Sequence, residues 1–231
     1  MQNIAKFDSK IDEIFEKEIK IFFQNIPYAS HLTDKNVDLD ENYYIRHRIE
    51  TIKRIKMTSR TDAIALAEMI NENYDLSRKW AKYTLQEMNH DLMFMKDLKT
   101  HGYTQSQVDD VELFESTKNL GAYLEDSISK YGPIAAVAYS LFVEWNSDRY
   151  SKKAVEKAQE KYSERHISGS KAHVHFDEDH DHYQLIMSIA YHLIRDDDHE
   201  MQFFQITKDI SSLFRSYFME LYQDTINKKT I

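Results

Sequence analysis

The chain has 231 residues, 42% of them apolar, a formal net charge of −9 and no cysteine. That is enough apolar chain for one sizeable core, so a single domain over residues 1–231 is expected. The lack of cysteine excludes disulfides, thiolate metal sites and a cysteine nucleophile, and it fits a reducing, cytoplasmic setting.

The acidic balance, with no block of Lys and Arg, argues against nucleic acid and anionic membrane surfaces as partners. No apolar run approaches the roughly 18 to 20 residues that span a bilayer, and the N-terminal residues lack the apolar stretch of a signal peptide. Only four Gly and two Pro (Pro27 and Pro133) are present. A sheet-rich fold would need more turn residues, so the fold class is all-α.

In chain order, Ile4, Phe7, Ile11, Phe15, Ile19 and Phe22 recur at helical spacing and predict a first helix. The polar stretch 25–40 reads as a loop. A second helix is predicted over Tyr43–Met57, and a separate one over Asp62–Asn71, capped by Thr61. The next begins at Asp75 or Ser77 and runs unbroken to His101, where Gly102 stops it. Gln105–Asp110 reads as a short turn of helix. Another helix covers Glu112–Lys130, and Pro133 opens the one after it. Ser151–Glu164 has the composition of a surface helix that Ser168-Gly169-Ser170 breaks. Two long helices, about Lys171–Arg195 and Asp198–Asn227, complete the chain.

Glu144 is the most informative residue. It is the only charge in Pro133–Trp145, a segment apolar on every side and therefore buried on every side. A carboxylate there must be ion-paired, hydrogen-bonded or bound to a metal. Glu87 and His90, three apart, share one side of a helix with Trp80, Tyr83, Phe94 and Leu98. Glu-x-x-His is the pairing that helical bundles use for di-iron carboxylate sites.

The third feature is residues 173–182, which hold four His and four acids. Two interleaved sets of the form His-x-x-x-Asp-x-x-His lie within it. One is His173, Asp177 and His180; the other is His175, Asp179 and His182. On one continuous helix, at about 100° per residue, Ile186, Ile189, Ala190 and Leu193 extend the stripe of the second set toward the core. The expected metal ligands are therefore Glu87, His90, Glu144, His175, Asp179 and His182, with the 173 set as the alternative. Nitrogen and carboxylate donors without thiolate suit iron, with manganese or zinc as substitutes.

This order of ligands, ending in His-x-x-x-Asp-x-x-His, resembles the heme-oxygenase-like di-iron oxidases and oxygenases over about residues 81–197. Many members carry Glu and His seven apart on the first ligand helix, where this chain has Phe94. Glu87-x-x-His90 is similar instead to the fatty-acid decarboxylase of the family. The resemblance implies a single-domain heme-oxygenase-like helical bundle, two Fe(II) ions as cofactor and dioxygen as co-substrate. It also implies a small amino-acid or fatty-acid-type substrate that undergoes oxidative C–C cleavage, desaturation or N-oxygenation. The alternatives are a non-catalytic iron-binding protein, a ferritin-type bundle that would lack its usual second Glu-x-x-His, and a thiamin-salvage hydrolase of the same fold, which depends on a cysteine. A homodimer is left open.

Overall fold

The computed structural model describes residues 4–230, with side chains described throughout except at 176–180 and 229–230. Among the described residues every regular element is helical. The first helix, α1 (Ile4–Asn25), buries Phe7, Ile11 and Phe15. The loop that follows is anchored by His31, whose Nε2 accepts from the Asp40 N–H at 2.7 Å while Lys157 donates to its carbonyl.

Asp40 caps α2 (Glu41–Glu72) by accepting from the Tyr43 N–H. The break predicted at Thr61 does not occur. The hydroxyls of Thr58 and Thr61 donate back to the carbonyls of Arg54 and Thr58, so Thr61 serves a helix interior rather than a cap. No Gly or Pro interrupts 41–72.

Asn73, rather than Asp75 or Ser77, caps α3 (Tyr74–Glu87) through its side chain. Here a break appears where none was predicted. At Met88–Asn89 the chain tightens: Asn89 Nδ2 donates to the Leu85 carbonyl, and its N–H bonds only three residues back, to Gln86. The chain resumes as α4 (His90–Thr100). Thr104 and Gln107 form a capping box for α5 (Gln105–Asp110). α6 (Glu115–Tyr131) stops at Gly132, whose φ of 75° favours glycine.

Pro133 precedes α7 (Ile134–Asn146), which widens into a π turn over Ser147–Ser151 before α8 (Lys152–Lys161). The predicted break at Ser168-Gly169-Ser170 is instead the first turn of α9 (Ser168–His180). Asp97 of α4 accepts from the Gly169 N–H at 2.6 Å and from the Ser170 N–H and hydroxyl at 2.7 Å each. An acid at a helix N-terminus satisfies orphan donors and opposes the helix dipole. The helix predicted to run through to Arg195 is also divided. Asp181 takes a left-handed φ of 45° before α10 (His182–Leu193). The last long helix is α11 (Asp197–Thr225).

Nearly all of α7 is buried, packed among α6, α10 and α11. α4 lies against α2 on one side and α9 on the other. Gly169 makes the α4–α9 approach: a Cβ there would stand 1.8 Å from the Met93 carbonyl oxygen. No helix among the described residues is long and apolar enough to cross a membrane.

Gly169→Ala should lower the unfolding free energy by about 1–3 kcal/mol, because the obstructing atom is backbone and cannot step aside; urea titration measures it. A second outcome concerns His31. Its burial, and then the Lys157 ammonium, hold its pKa at about 4, below the ordinary 6.5. The unfolded chain therefore takes the proton first, and stability from this group declines as pH falls from 6.5 toward 4. The urea midpoint should fall over that window, and His31→Gln should flatten the decline.

Candidate metal centre

Glu87 is the last residue of α3 and His90 the first of α4, so the unexpected break lies inside the Glu-x-x-His pair. The two still meet, with Glu87 Oε2 3.1 Å from His90 Nδ1. Glu144, 4% exposed, reaches the same place from the last turn of α7. Its Oε1 accepts from the Tyr83 hydroxyl at 2.7 Å and lies 3.7 Å from His182 Nδ1. His182, 1% exposed at the start of α10, has its Nδ1 3.1 Å from Glu87 Oε1. Donor atoms of Glu87, Glu144 and His182 all lie within 4.8 Å of one another.

The tautomer of His182 follows from its far side. Nε2 lies 3.2 Å from Gln86 Oε1, an acceptor, so Nε2 carries the proton. Nδ1 then faces the two carboxylates. Glu87 Oε1 accepts no aligned hydrogen bond there, despite its closeness to His182. One buried and one partly exposed carboxylate converging on imidazole nitrogen, with the far nitrogen beside an amide oxygen, fit a divalent cation without thiolate preference. Burial alone would raise the pKa of Glu87, but the adjoining His182 and His90 imidazoles outweigh it and bring the group down to about 2. Glu87 is thus ionised at neutral pH.

His173, rather than His175, packs against His90. The His173 ring is 4.3 Å from that of His90 and 5.0 Å from Phe94, while His175 is exposed. Burial, then the neighbouring His90, hold His173 at about 3, so its imidazole is neutral. The side chains of Asp179, and of Asp177 and His180 in the alternative set, lie outside the described residues. Of the two interleaved sets, His182 belongs to the group with Glu87 and Glu144, and His173 packs against His90. Residues 173 and 182 are nine apart, which on an unbroken helix at about 100° per residue puts them on opposite faces. The left-handed turn at Asp181 resets that rotation, so that His182 reaches Glu87 while His173 packs against His90.

Sequence reasoning passed over three neighbours. Tyr83 and Gln86 were legible only as members of the inward face of α3. Asp62, buried on α2, is pushed up to about 8, first by burial and then by the Glu87 charge, and so is largely protonated at pH 7. Beside the ligand cluster lies a cavity of about 290 Å³, lined by Glu87, His90 and His173 and by an aromatic wall that includes Phe94, Phe142 and Phe214.

The architecture has counterparts among solved structures. A domain of unknown function with a heme oxygenase-like fold, from Shewanella denitrificans, superposes with a TM-score of 0.79 at 15% identity, covering 97% of this chain and 94% of that one. The chain has the heme oxygenase-like fold. Two further proteins share it. A TenA homolog from Pseudomonas syringae pv. tomato gives a TM-score of 0.76 at 12% identity, covering 96% of each chain. A TenA homologue from Pyrococcus furiosus gives 0.67 at 14%, covering 93% of this chain and 98% of that one. No protein-family model and no curated protein matches the sequence.

The placement of the rings predicts which histidine carries metal affinity. His173→Ala should weaken Co(II) binding, read from its visible absorption, by roughly 10- to 100-fold. His175→Ala should leave it unchanged.

Proposed function

We propose that this chain is a non-heme di-iron, dioxygen-dependent oxidase or oxygenase acting on a small amino-acid or fatty-acid-type substrate. The observation that carries the reading is the convergence of Glu87, Glu144 and His182, from three helices, beside a largely apolar cavity. His90 and His173 adjoin them and would complete the nitrogen donors, with the tract's aspartate as a further carboxylate. Two Fe(II) ions held there would supply the reduction of dioxygen and the oxidising power for C–C cleavage, desaturation or N-oxygenation.

The chain's own contribution is positioning and exclusion of water. Tyr83 holds Glu144 in one orientation, and Gln86 holds the His182 ring. His173 stays neutral and Glu87 ionised, the protonation states that metal ligation requires. The aromatic wall keeps the reacting end of a substrate dry. A hydrolase that depends on a cysteine nucleophile is excluded by composition.

The test is reconstitution with Fe(II) under argon, metal counting, and oxygen consumption with candidate amino and fatty acids. Two irons per chain and substrate-dependent oxygen uptake are expected, and Glu144→Ala should abolish loading. Iron bound with no oxygen uptake would leave the non-catalytic iron-binding reading. Fewer than two irons would sink the di-iron centre.

A further inference from the structure

The wall of the cavity opposite the acids is built by α2, where His47, Arg48, Thr51, Arg54 and Ile55 fall at helical spacing. Arg48 is 9% exposed, and a guanidinium cannot shed its charge at any ordinary pH. Its surroundings are aromatic: the guanidinium lies 5.3 Å from the Tyr44 ring centroid and 4.8 Å from that of Phe94. Ring faces attract a cation but accept hydrogen bonds poorly, and Arg48 Nε has no partner. No acid among the described residues forms an ion pair with it.

The other charges near this wall have polar partners, although Arg54 meets phenol hydroxyls rather than an acid and its Nη1 has no hydrogen-bond partner. Arg46 pairs with Glu50 at 2.9 Å and with Asp224. Arg54 sits beside the Tyr139 and Tyr217 hydroxyls, with Glu50 nearby. Glu18, which also lines the cavity, pairs with Arg215 at 2.6 Å. Glu87 is engaged by His90 and His182. Arg48 is therefore a buried cation whose counter-charge the cavity lining does not supply, and leaving such a charge unmet is costly.

We infer that the cavity binds a carboxylic acid with an apolar chain, anchored by its carboxylate on Arg48. The planar guanidinium fork matches a carboxylate bidentately. The rest of the lining, with Phe22, Phe142, Phe214 and Phe218, suits a hydrocarbon chain and leaves no acid over for an α-ammonium group. Phe94, which Arg48 covers, is 5.0 Å from His173, so the anchored head lies one ring away from the metal centre. The role as substrate rests on the oxidase reading; the binding does not.

The experiment is calorimetric titration of the metal-free full chain with decanoate, decanol and L-phenylalanine. Decanoate should bind at least about tenfold more tightly than decanol, as a charge-assisted pair requires. Arg48→Gln should remove that advantage, and Arg48→Lys should keep part of it, with circular dichroism confirming that each variant folds. Decanol binding as tightly as decanoate would overturn the proposal, and this comparison needs no variant. Full decanoate affinity in folded Arg48→Gln would overturn the anchor, and phenylalanine binding more tightly than decanoate would overturn the apolar chain. Iron counted in parallel separates the two readings: iron without decanoate binding sinks this inference alone, and decanoate binding without iron sinks the oxidase alone.

Discussion

A carboxylate buried on a helix that is apolar on nearly every side costs several kcal/mol unless donors or cations meet it. Glu144 sets that condition for α7, and the surrounding helices are arranged to satisfy it. α3 delivers the Tyr83 hydroxyl and, one turn later, Glu87. α10 delivers His182 at its first residue, where the ring reaches both acids. Two acids this close repel each other, so the arrangement is complete only when positive charge lies between them. The likeness to heme oxygenase-like structures establishes the architecture, and Glu87, Glu144 and His182 form a group that could hold a metal ion.

Much of this was legible in the sequence because burial leaves a strong pattern. The near absence of Gly and Pro fixed the helical class, and the lone charge in 133–145 marked Glu144. Glu87 and His90 stood out by their three-residue spacing on the side of a helix that carries Trp80, Tyr83, Phe94 and Leu98. What the pattern could not carry was helix continuity. Thr61 has the chemistry of a cap, yet its hydroxyl is used backward within α2. Asn89 breaks a helix with no Gly or Pro to announce it, by giving its side-chain amide to a carbonyl that the backbone would otherwise serve.

The same limit explains the last ligand helix. A seven-residue spacing keeps His175 and His182 on one face of a continuous helix, which made them the natural pair. Asp181 in a left-handed conformation breaks that continuity, and aspartate is one of the few residues that adopts it at modest cost. The phase of α9 is set elsewhere, by Asp97 clasping its first turn and by Gly169 allowing α4 to approach. Both are long-range contacts, invisible to any window of periodicity. Arg48 is a further case: an arginine on a mixed helix face reads as surface until the cavity beside it is seen.

The apolar interior is divided into separate clusters. Trp80, Tyr83 and most of α7 belong to one, while Phe94, Leu98, Ile49 and Ile167 belong to another. Tyr83 and Phe94 thus flank the ligand set from different clusters, and the site occupies the seam. Any ion or small molecule seated there touches both sides and is favoured only when they are docked. By mass action, a ligand at a hundred times its dissociation constant adds about 2.7 kcal/mol to the docked state. Occupancy of the site would therefore also fasten two clusters of the core together, and the folding cooperativity of the chain would then depend on the supply of that ligand.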